Sequence, residues 1–476
     1  MEPISLVERL GRWSSGRRPL YLLLAARIRT LIDDGELPPG VRLPPDRALA
    51  AALAVGRTTV VAAYDQLTVE GRIVRRQGSG TRVAGVSDGG GSVRPTTDAP
   101  AMLHLLEPRD GVILLACAAP DRPPPELVDA YARTLPTLAG TVGDIGYHPM
   151  GHPRLRRAIA DRYERRGVAT TPEQILVTTG GQQALSLIAR ALLRPGDRVL
   201  VEAPTYPGAL EAFREEAAAL HGLRVGLPGL RAAASALCPA LVYAIPTFHN
   251  PTGAVLPDPA RRRLVREAAA ADVLLVEDEV LAELGFPGEE TPPPLAAHGD
   301  RVLTIGSLSK TVWGGLRVGW VRAPASVVAR LARLRAVADL GGNVPAQLAA
   351  AELLPGLDAL REAGAHRRRA GYERLRAALA RALPDWHVPA VRGGQTLWVR
   401  LPRGDGGSFA QTALRHGVAV LPGSGLDAAG GSAEYLRVHF LASPDETSEA
   451  VRRLAAAWRA YEPSSGSTAG PPPLAV

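Results

Sequence analysis

Residues 306 to 320 read GSLSKTVWGGLRVGW, and Lys310 within them is the only lysine in a chain of 476 residues whose lysines and arginines total 55. Everywhere else the sequence takes arginine for positive charge. A guanidinium serves a solvated surface or a phosphate contact at least as well as an ammonium, but it stays protonated in a protein and forms no imine. Position 310 therefore asks for an amine, one that can shed its proton and condense with an aldehyde. A coding bias that left one lysine by chance is the plain alternative, and the neighbouring sequence decides against it.

Outward from this stretch, from about residue 111, apolar β-prone runs alternate with Ala/Leu/Arg-rich helical patterns: QILVTT, DRVLVEAP, ALVYAIP, DVLLVEDE and DRVLTIGS. That alternation is the signature of an α/β fold with a mainly parallel, doubly wound sheet, which binds ligands beyond the carboxyl ends of its strands. Several features there suit one ligand, an aldehyde carrying a pyridine nitrogen and a phosphate. Asp278 closes the VEDE strand, where its carboxylate can keep a pyridinium protonated. TTGGQQALSL runs from strand to helix through a glycine pair, so the N–H groups of Gly181 and Gln182 stand at a helix N-terminus suited to phosphate. HNPTG puts Asn250 in a loop after a strand, and Ser307 and Arg317 flank Lys310 as a neutral and a charged donor. Alone, an aspartate after a strand is often a helix cap, and a glycine pair or Asn-Pro is often a turn.

The front of the chain has another character. PLYLLLAARIRTLIDD carries apolar residues at helical spacing, LPPDRALAAAL and RTTVVAAYDQLTVE give two further short helices joined by AVG, and RIVRRQGSGTRVAG reads as a hairpin. The unit is a winged helix-turn-helix. Its first 84 residues hold 13 arginines against 8 acidic residues, an excess of +5 out of the net +8 of the chain. Such a balance points to nucleic acid. Arg57, Thr58 and Thr59 open the second helix of the pair, where a recognition helix meets base edges. Arg47 in the preceding helix faces the backbone or a guanine, and Arg75, Arg76 and Arg82 flank the wing turn from Gln77 to Gly80, placed for phosphates or a narrow minor groove.

Boundaries follow composition: the winged helix-turn-helix at 17–84, a Gly/Ser/Pro-rich flexible linker at 85–110, the α/β domain at 111–462 and a disordered tail at 463–476. Cys117 and Cys238 match no metal-ligand spacing, so disulfide scaffolding and structural metal are not expected. No run is long enough for a signal core or membrane span, and the expectation is a cytoplasmic protein without a membrane partner.

Taken together, YHPMG, TTGGQQAL, PTYPG, HNPTG, VEDE, SLSKTVWGGLR and LRVHF occur in the order and spacing of the fold-type I aminotransferases that use pyridoxal 5′-phosphate, which the chain resembles over roughly residues 111 to 460. The resemblance implies that Lys310 forms the internal aldimine, that Asp278 pairs with the pyridine nitrogen, that Asn250 contacts the ring hydroxyl and that Tyr206 stacks on the ring. It implies phosphate contacts from Gly181, Gln182, Ser307 and Arg317, with Tyr147 joining from a partner subunit, hence a homodimer. Arg437 would hold the α-carboxylate of an amino acid. Two positions depart from the pattern: Val280 stands where many relatives have a tyrosine that donates to the ring hydroxyl, and Gly314 where close relatives often have proline. The front module resembles the GntR-type winged helix, and the fused layout resembles the MocR subfamily of bacterial transcription regulators.

The expectation is thus a regulator of double-stranded DNA in which an amino acid or amine effector reacts at Lys310 and alters DNA binding, with transamination at most a side activity. The alternative is a functional aminotransferase with a secondary DNA-binding head. A third reading, an inert cofactor-free core, runs against the lone lysine.

Overall fold

A computed structural model describes residues 3–11, 13, 20–33, 36–38, 40–69, 72–76, 80–83 and 110–462. The linker expected at 85–110 lies outside the described residues except for Asp110, as do the tail at 463–476 and the wing-turn residues 77–79. The chain divides into two compact units, Met1–Thr96 and Thr97–Val476.

The first unit holds helices α1 (Pro3–Leu10), α2 (Leu20–Asp33), α3 (Asp46–Ala52) and α4 (Arg57–Val69), with strands β1 (Arg42–Leu43), β2 (Ile73–Arg76) and β3 (Gly80–Val83). Leu24, Ile28 and Leu31 follow helical spacing along α2 and bury against Leu49 of α3 and Val60, Ala63, Tyr64 and Leu67 of α4. Between α3 and α4 the chain turns at Ala54, whose φ of 53° is left-handed, and the Tyr64 hydroxyl donates to the Pro44 carbonyl at 3.0 Å across the motif. The helix pair and the hairpin match the sequence reading. Two elements go beyond it: α1 adds Leu6 and Leu10 to the core, and β1 pairs with β3 to make the wing three-stranded in the order β1-β3-β2. Both are short, and a two-residue strand leaves no period to read.

The second unit begins with β4 (Ile113–Leu114) and is built on seven strands: β5 (Ile175–Thr178), β6 (Arg198–Ala203), β7 (Ala219–Arg224), β8 (Leu241–Ala244), β9 (Leu274–Asp278), β10 (Val302–Ser307) and β11 (Gly319–Arg322). Their order is β5-β11-β10-β9-β8-β6-β7, parallel except that β11 runs antiparallel to both neighbours. Alternate residues enter opposite cores: Leu200, Val242 and Leu275 pack on one face, Val199, Tyr243 and Val276 on the other. Burial on both faces explains why these strands read as near-continuous apolar runs. The two strands absent from the sequence reading are β7, a sheet edge with the half-exposed pattern ALHGLR, and β11, whose Gly-Trp-Val-Arg is too short and mixed to show a period.

A smaller sheet of β12 (Thr396–Arg400), β15 (Tyr435–His439) and β14 (Leu421–Pro422) is backed by the helices Leu357–Ala382, Gly406–Arg415 and Pro444–Ala460. Strand β13 (Val418–Ala419) pairs in parallel with β4, so the segment after β4 enters the second unit beside this sheet. The lobe is tightly closed where Gly371 meets the residue just after β15: a Cβ at that glycine would run into the Phe440 carbonyl oxygen. Gly371→Ala is therefore expected to destabilise the second unit by about 1–3 kcal/mol, the usual range for overpacking, read as a lowered urea midpoint.

Candidate cofactor and effector site

Strands β5, β6, β8, β9 and β10 all deliver their carboxyl ends to one side of the sheet, and the loops that follow them enclose a cavity of about 460 Å³. That volume lies in the range of small-molecule sites. Its lining brings together Lys310, Asp278, Asn250, Tyr206, Gly181, Gln182, Ser307, Arg317 and Arg437, residues spread over more than half of the chain.

Lys310 follows β10 by three residues, and its Nζ donates to the Ala118 carbonyl at 2.5 Å. Burial pulls the lysine pKa below its usual value, and the Arg437 and Arg317 guanidinium groups add to the shift while Cys117 opposes it. A lowered pKa supplies the neutral amine that imine formation requires.

The VEDE strand alternates, so its three acids part company. Glu277 is fully buried and accepts the Leu295 N–H at 2.7 Å, with burial and Glu279 pushing its pKa up to about 8, while Glu279 pairs with Arg166 at 2.6 Å. Asp278 alone lines the cavity. One of its oxygens accepts the Tyr243 hydroxyl at 2.7 Å and the other the Val280 N–H at 2.9 Å. Burial raises the Asp278 pKa, the two donors work against that rise, and a cation at the free edge of the carboxylate would restore its charge.

At the far side, the helix Gly181–Leu192 presents its first N–H groups. Gly180 has a φ of 127°, and a Cβ there would stand 3.1 Å from the Arg317 guanidinium, so the glycine lets Arg317 close over the helix start. Arg317 itself is left-handed, at φ 55°, and donates to the Gly314 carbonyl at 3.3 Å. A Cβ at Gly314 would meet nothing within 4 Å, so that departure from the family pattern has little steric consequence. Ser307 and Ser309 hydroxyls lie 3.0 Å apart beside these donors. The cluster is a cradle for a multiply charged anion.

Tyr206 donates to Gln182 Oε1 at 3.1 Å, and Gln182 in turn donates to the Gly208 carbonyl at 2.8 Å. Gly208 is required there, because a Cβ would collide with the Tyr206 ring. Arg437, on β15, donates to Asn250 Oδ1 at 3.0 Å and to the Ala116 carbonyl at 2.6 Å, while its buried Nε has no partner. Burial lowers the Arg437 pKa to about 10. Asn250 thereby turns its amide group, a donor, away from the arginine. Gln395 Oε1 is a second buried atom without a partner in this lining.

Tyr147 is 60% exposed and outside the cavity lining. In the first unit Arg57 and Thr58 are exposed at the start of α4 and Thr59 is half-buried, with Arg47 exposed on α3. Arg75 and Arg76 lie on β2, and Arg82 is exposed and donates to the Gly40 carbonyl at 3.0 Å. The sequence reading passed over Ser309, although it stands beside Lys310, and Tyr243, although a tyrosine inside the apolar ALVYAIP run needs a buried acceptor. It also passed over Ala116–Ala118, which long-range pairings of the preceding residues with β13 and His439 bring to the site.

Two family patterns match: aminotransferase class I and II over residues 112–454, and bacterial regulatory proteins of the gntR family over residues 20–83. Among similar proteins, the uncharacterized HTH-type transcriptional regulator YisV of Bacillus subtilis is 31% identical over 450 residues, covering 87% of this chain and 91% of that one. The probable rhizopine catabolism regulatory protein MocR of Rhizobium meliloti is 32% identical over 358 residues, 70% of this chain and 71% of that one. Among solved structures, LysN, the α-aminoadipate aminotransferase of Thermus thermophilus complexed with N-(5′-phosphopyridoxyl)-L-leucine, aligns with a TM-score of 0.69 at 31% identity, covering 76% of this chain and 95% of that one.

Removing the hydroxyl in Tyr243→Phe leaves Asp278 with one donor fewer. Hydrogen bonds to charged groups contribute about 1.5–3 kcal/mol, so the affinity for a ligand with a cationic ring is expected to fall about tenfold or more in a fluorescence titration.

Proposed function

The chain belongs to the aminotransferase class I and II family and carries a gntR-family head, and from that premise we propose that it is a pyridoxal 5′-phosphate-dependent transcription regulator of bacterial type. The head binds double-stranded DNA, and an amino acid or amine is the effector. When bound, the cofactor supplies an aldehyde for exchange between amines. The residues around it fit: Gly181, Gln182, Ser307, Ser309 and Arg317 suit the phosphate, Asp278 suits a protonated pyridine nitrogen, Tyr206 the ring face and Asn250 the ring hydroxyl.

Lys310 would hold the cofactor's aldehyde and give way to an incoming amine. The lysine's lowered pKa raises the share of the neutral nucleophile, and the Ala118 carbonyl fixes the direction of Nζ. Arg437 turns its fork from Asn250 and Ala116 to the effector's carboxylate, a bidentate match. What carries the regulatory reading is the fusion of a DNA-binding head to a cavity that keeps every binding group but has Val280 where a hydroxyl donor would tune proton movement. Val280 packs at the start of the Gly181 helix, where a Cβ on Gly181 would be 3.0 Å from its Cγ2, and it offers the cavity only methyl groups.

In the head, Arg57, Thr58 and Thr59 meet base edges, Arg47 the backbone or a guanine, and Arg75 and Arg76 the phosphates beside the wing. A homodimer would supply two heads for two half-sites and bring the partner's Tyr147 to the phosphate. In support, Val142, Ile145 and Tyr147, close together in sequence, are 93%, 80% and 60% exposed, apolar side chains that a partner subunit could cover.

The visible spectrum tests the reading against a working aminotransferase. Wild-type protein with cofactor is expected to be yellow, and an amino-acid pool should shift the band durably; bleaching to the amine form of the cofactor would favour transamination instead. Lys310→Arg should lose the borohydride-trappable link, and a trapped link in that variant would contradict the assignment. Arg437→Ala should weaken carboxylate effectors about tenfold or more while leaving cofactor uptake nearly unchanged.

A further inference from the structure

Away from the cofactor cavity, three residues at four-residue intervals, Asp144, His148 and His152, bring one ligand atom each to within 4.8 Å of one another. Among the described residues this is the single group of three or more His, Cys, Asp or Glu side chains so arranged. They do not share a helix. The segment reaches its shape through Gly143, Gly146 and Gly151, with φ of 79°, 79° and 97°, and the helix Pro153–Arg165 starts just after His152.

Their contacts leave donor atoms for an ion. Asp144 Oδ1 accepts the Gly146 N–H at 2.8 Å, which anchors the carboxylate and leaves Oδ2 at 3.0 Å from His148 Nε2. The rings of His148 and His152 meet edge to face with centroids 5.1 Å apart. His152 Nδ1 caps the Arg154 N–H over a long 3.3 Å, a bond that histidine ligation can replace at a cost of about 1 kcal/mol. Bonds of about 2.0–2.2 Å to nitrogen and carboxylate oxygen put tetrahedral ligand atoms about 3.3–3.6 Å apart, a spacing that Asp144 and His148 bracket at 3.0 Å and that His152, within 4.8 Å of both, reaches by a small side-chain shift.

We propose that Asp144, His148 and His152 form a site for a divalent first-row transition cation, with zinc the best match to two imidazoles, one carboxylate and an open fourth position. The ligand set is borderline in softness, which disfavours calcium and magnesium, and within this chain Asp144 is exposed with His148 and His152 half-buried. Occupancy would pin the segment that carries Tyr147, which lies between two of the ligands. The site stands whether or not Tyr147 reaches a partner's cofactor.

The test uses full-length protein without a polyhistidine tag, stripped with chelator and titrated with zinc chloride against a chromophoric competitor. One ion per chain is expected, with Asp144→Asn, His148→Gln and His152→Gln each weakening it about tenfold or more. Wild-type affinity in all three variants, or no zinc uptake by the wild type, would overturn the site. The other histidines and both cysteines stay in every variant, so binding elsewhere shows itself as unchanged affinity. Should a variant fail to fold, diethylpyrocarbonate labelling of the wild type decides: zinc should protect His148 and His152 together, and labelling of both that ignores zinc would reject the proposal.

Discussion

A buried amine beside one buried guanidinium group and a second at the exposed rim of the same cavity is the constraint on which the rest of the second unit depends. Lys310, Arg317 and Arg437 line one cavity with Asp278 as the only carboxylate among its lining residues. Burial penalises the charged forms of Lys310 and Arg437 and lowers the pKa of both. A ligand that brings a phosphate to Arg317 and the helix start, and a carboxylate to Arg437, supplies the missing negative charge. The cavity is therefore better suited to its ligands than to water, and occupancy by two successive ligands has different electrostatic consequences. On the proposed function the cofactor's phosphate would face Arg317, and an effector's carboxylate would meet Arg437, whose buried Nε has no protein partner.

The sheet serves that constraint. Parallel strands buried on both faces bring five loops to one edge, and positive-φ or Cβ-intolerant glycines at 180 and 208 let Arg317 and Tyr206 approach closely. Strand alternation sends Glu277 and Glu279 away from the cavity and keeps Asp278 in it. Val280 follows two residues later on the same face and contributes bulk without a proton. The cavity gathers the groups that the proposed exchange of amines would use, while at position 280 it offers methyls and no hydroxyl.

Much of this was legible in the sequence because the decisive residues are chemically unlike their surroundings. One lysine among arginines, an aspartate ending an apolar run and a glycine pair between strand and helix each broke a local rule, and the structure gathers them in one cavity. What was not legible had no such contrast. Strand β7 is a half-exposed edge, β11 is four residues long, and α1 and β1 are too short for periodicity. Tyr243 looked like core until Asp278 was found at its hydroxyl, and Ala116–Ala118 reach the site through pairings of the preceding segment with β13 and β15, between residues some 300 apart in sequence. Asp144, His148 and His152 escaped notice because three glycine-shaped turns, rather than a regular element, bring them together.

The central claim is that the amine at residue 310 links effector chemistry to DNA binding by the head. Fluorescence anisotropy of the full chain with cofactor on DNA from upstream of its own gene, with and without an amino-acid pool, tests it directly. The account predicts that the pool shifts affinity by about 5- to 150-fold in the wild type, the usual range of coupling between sites, and leaves Lys310→Arg unmoved. A wild-type affinity that is the same with and without the pool would contradict it.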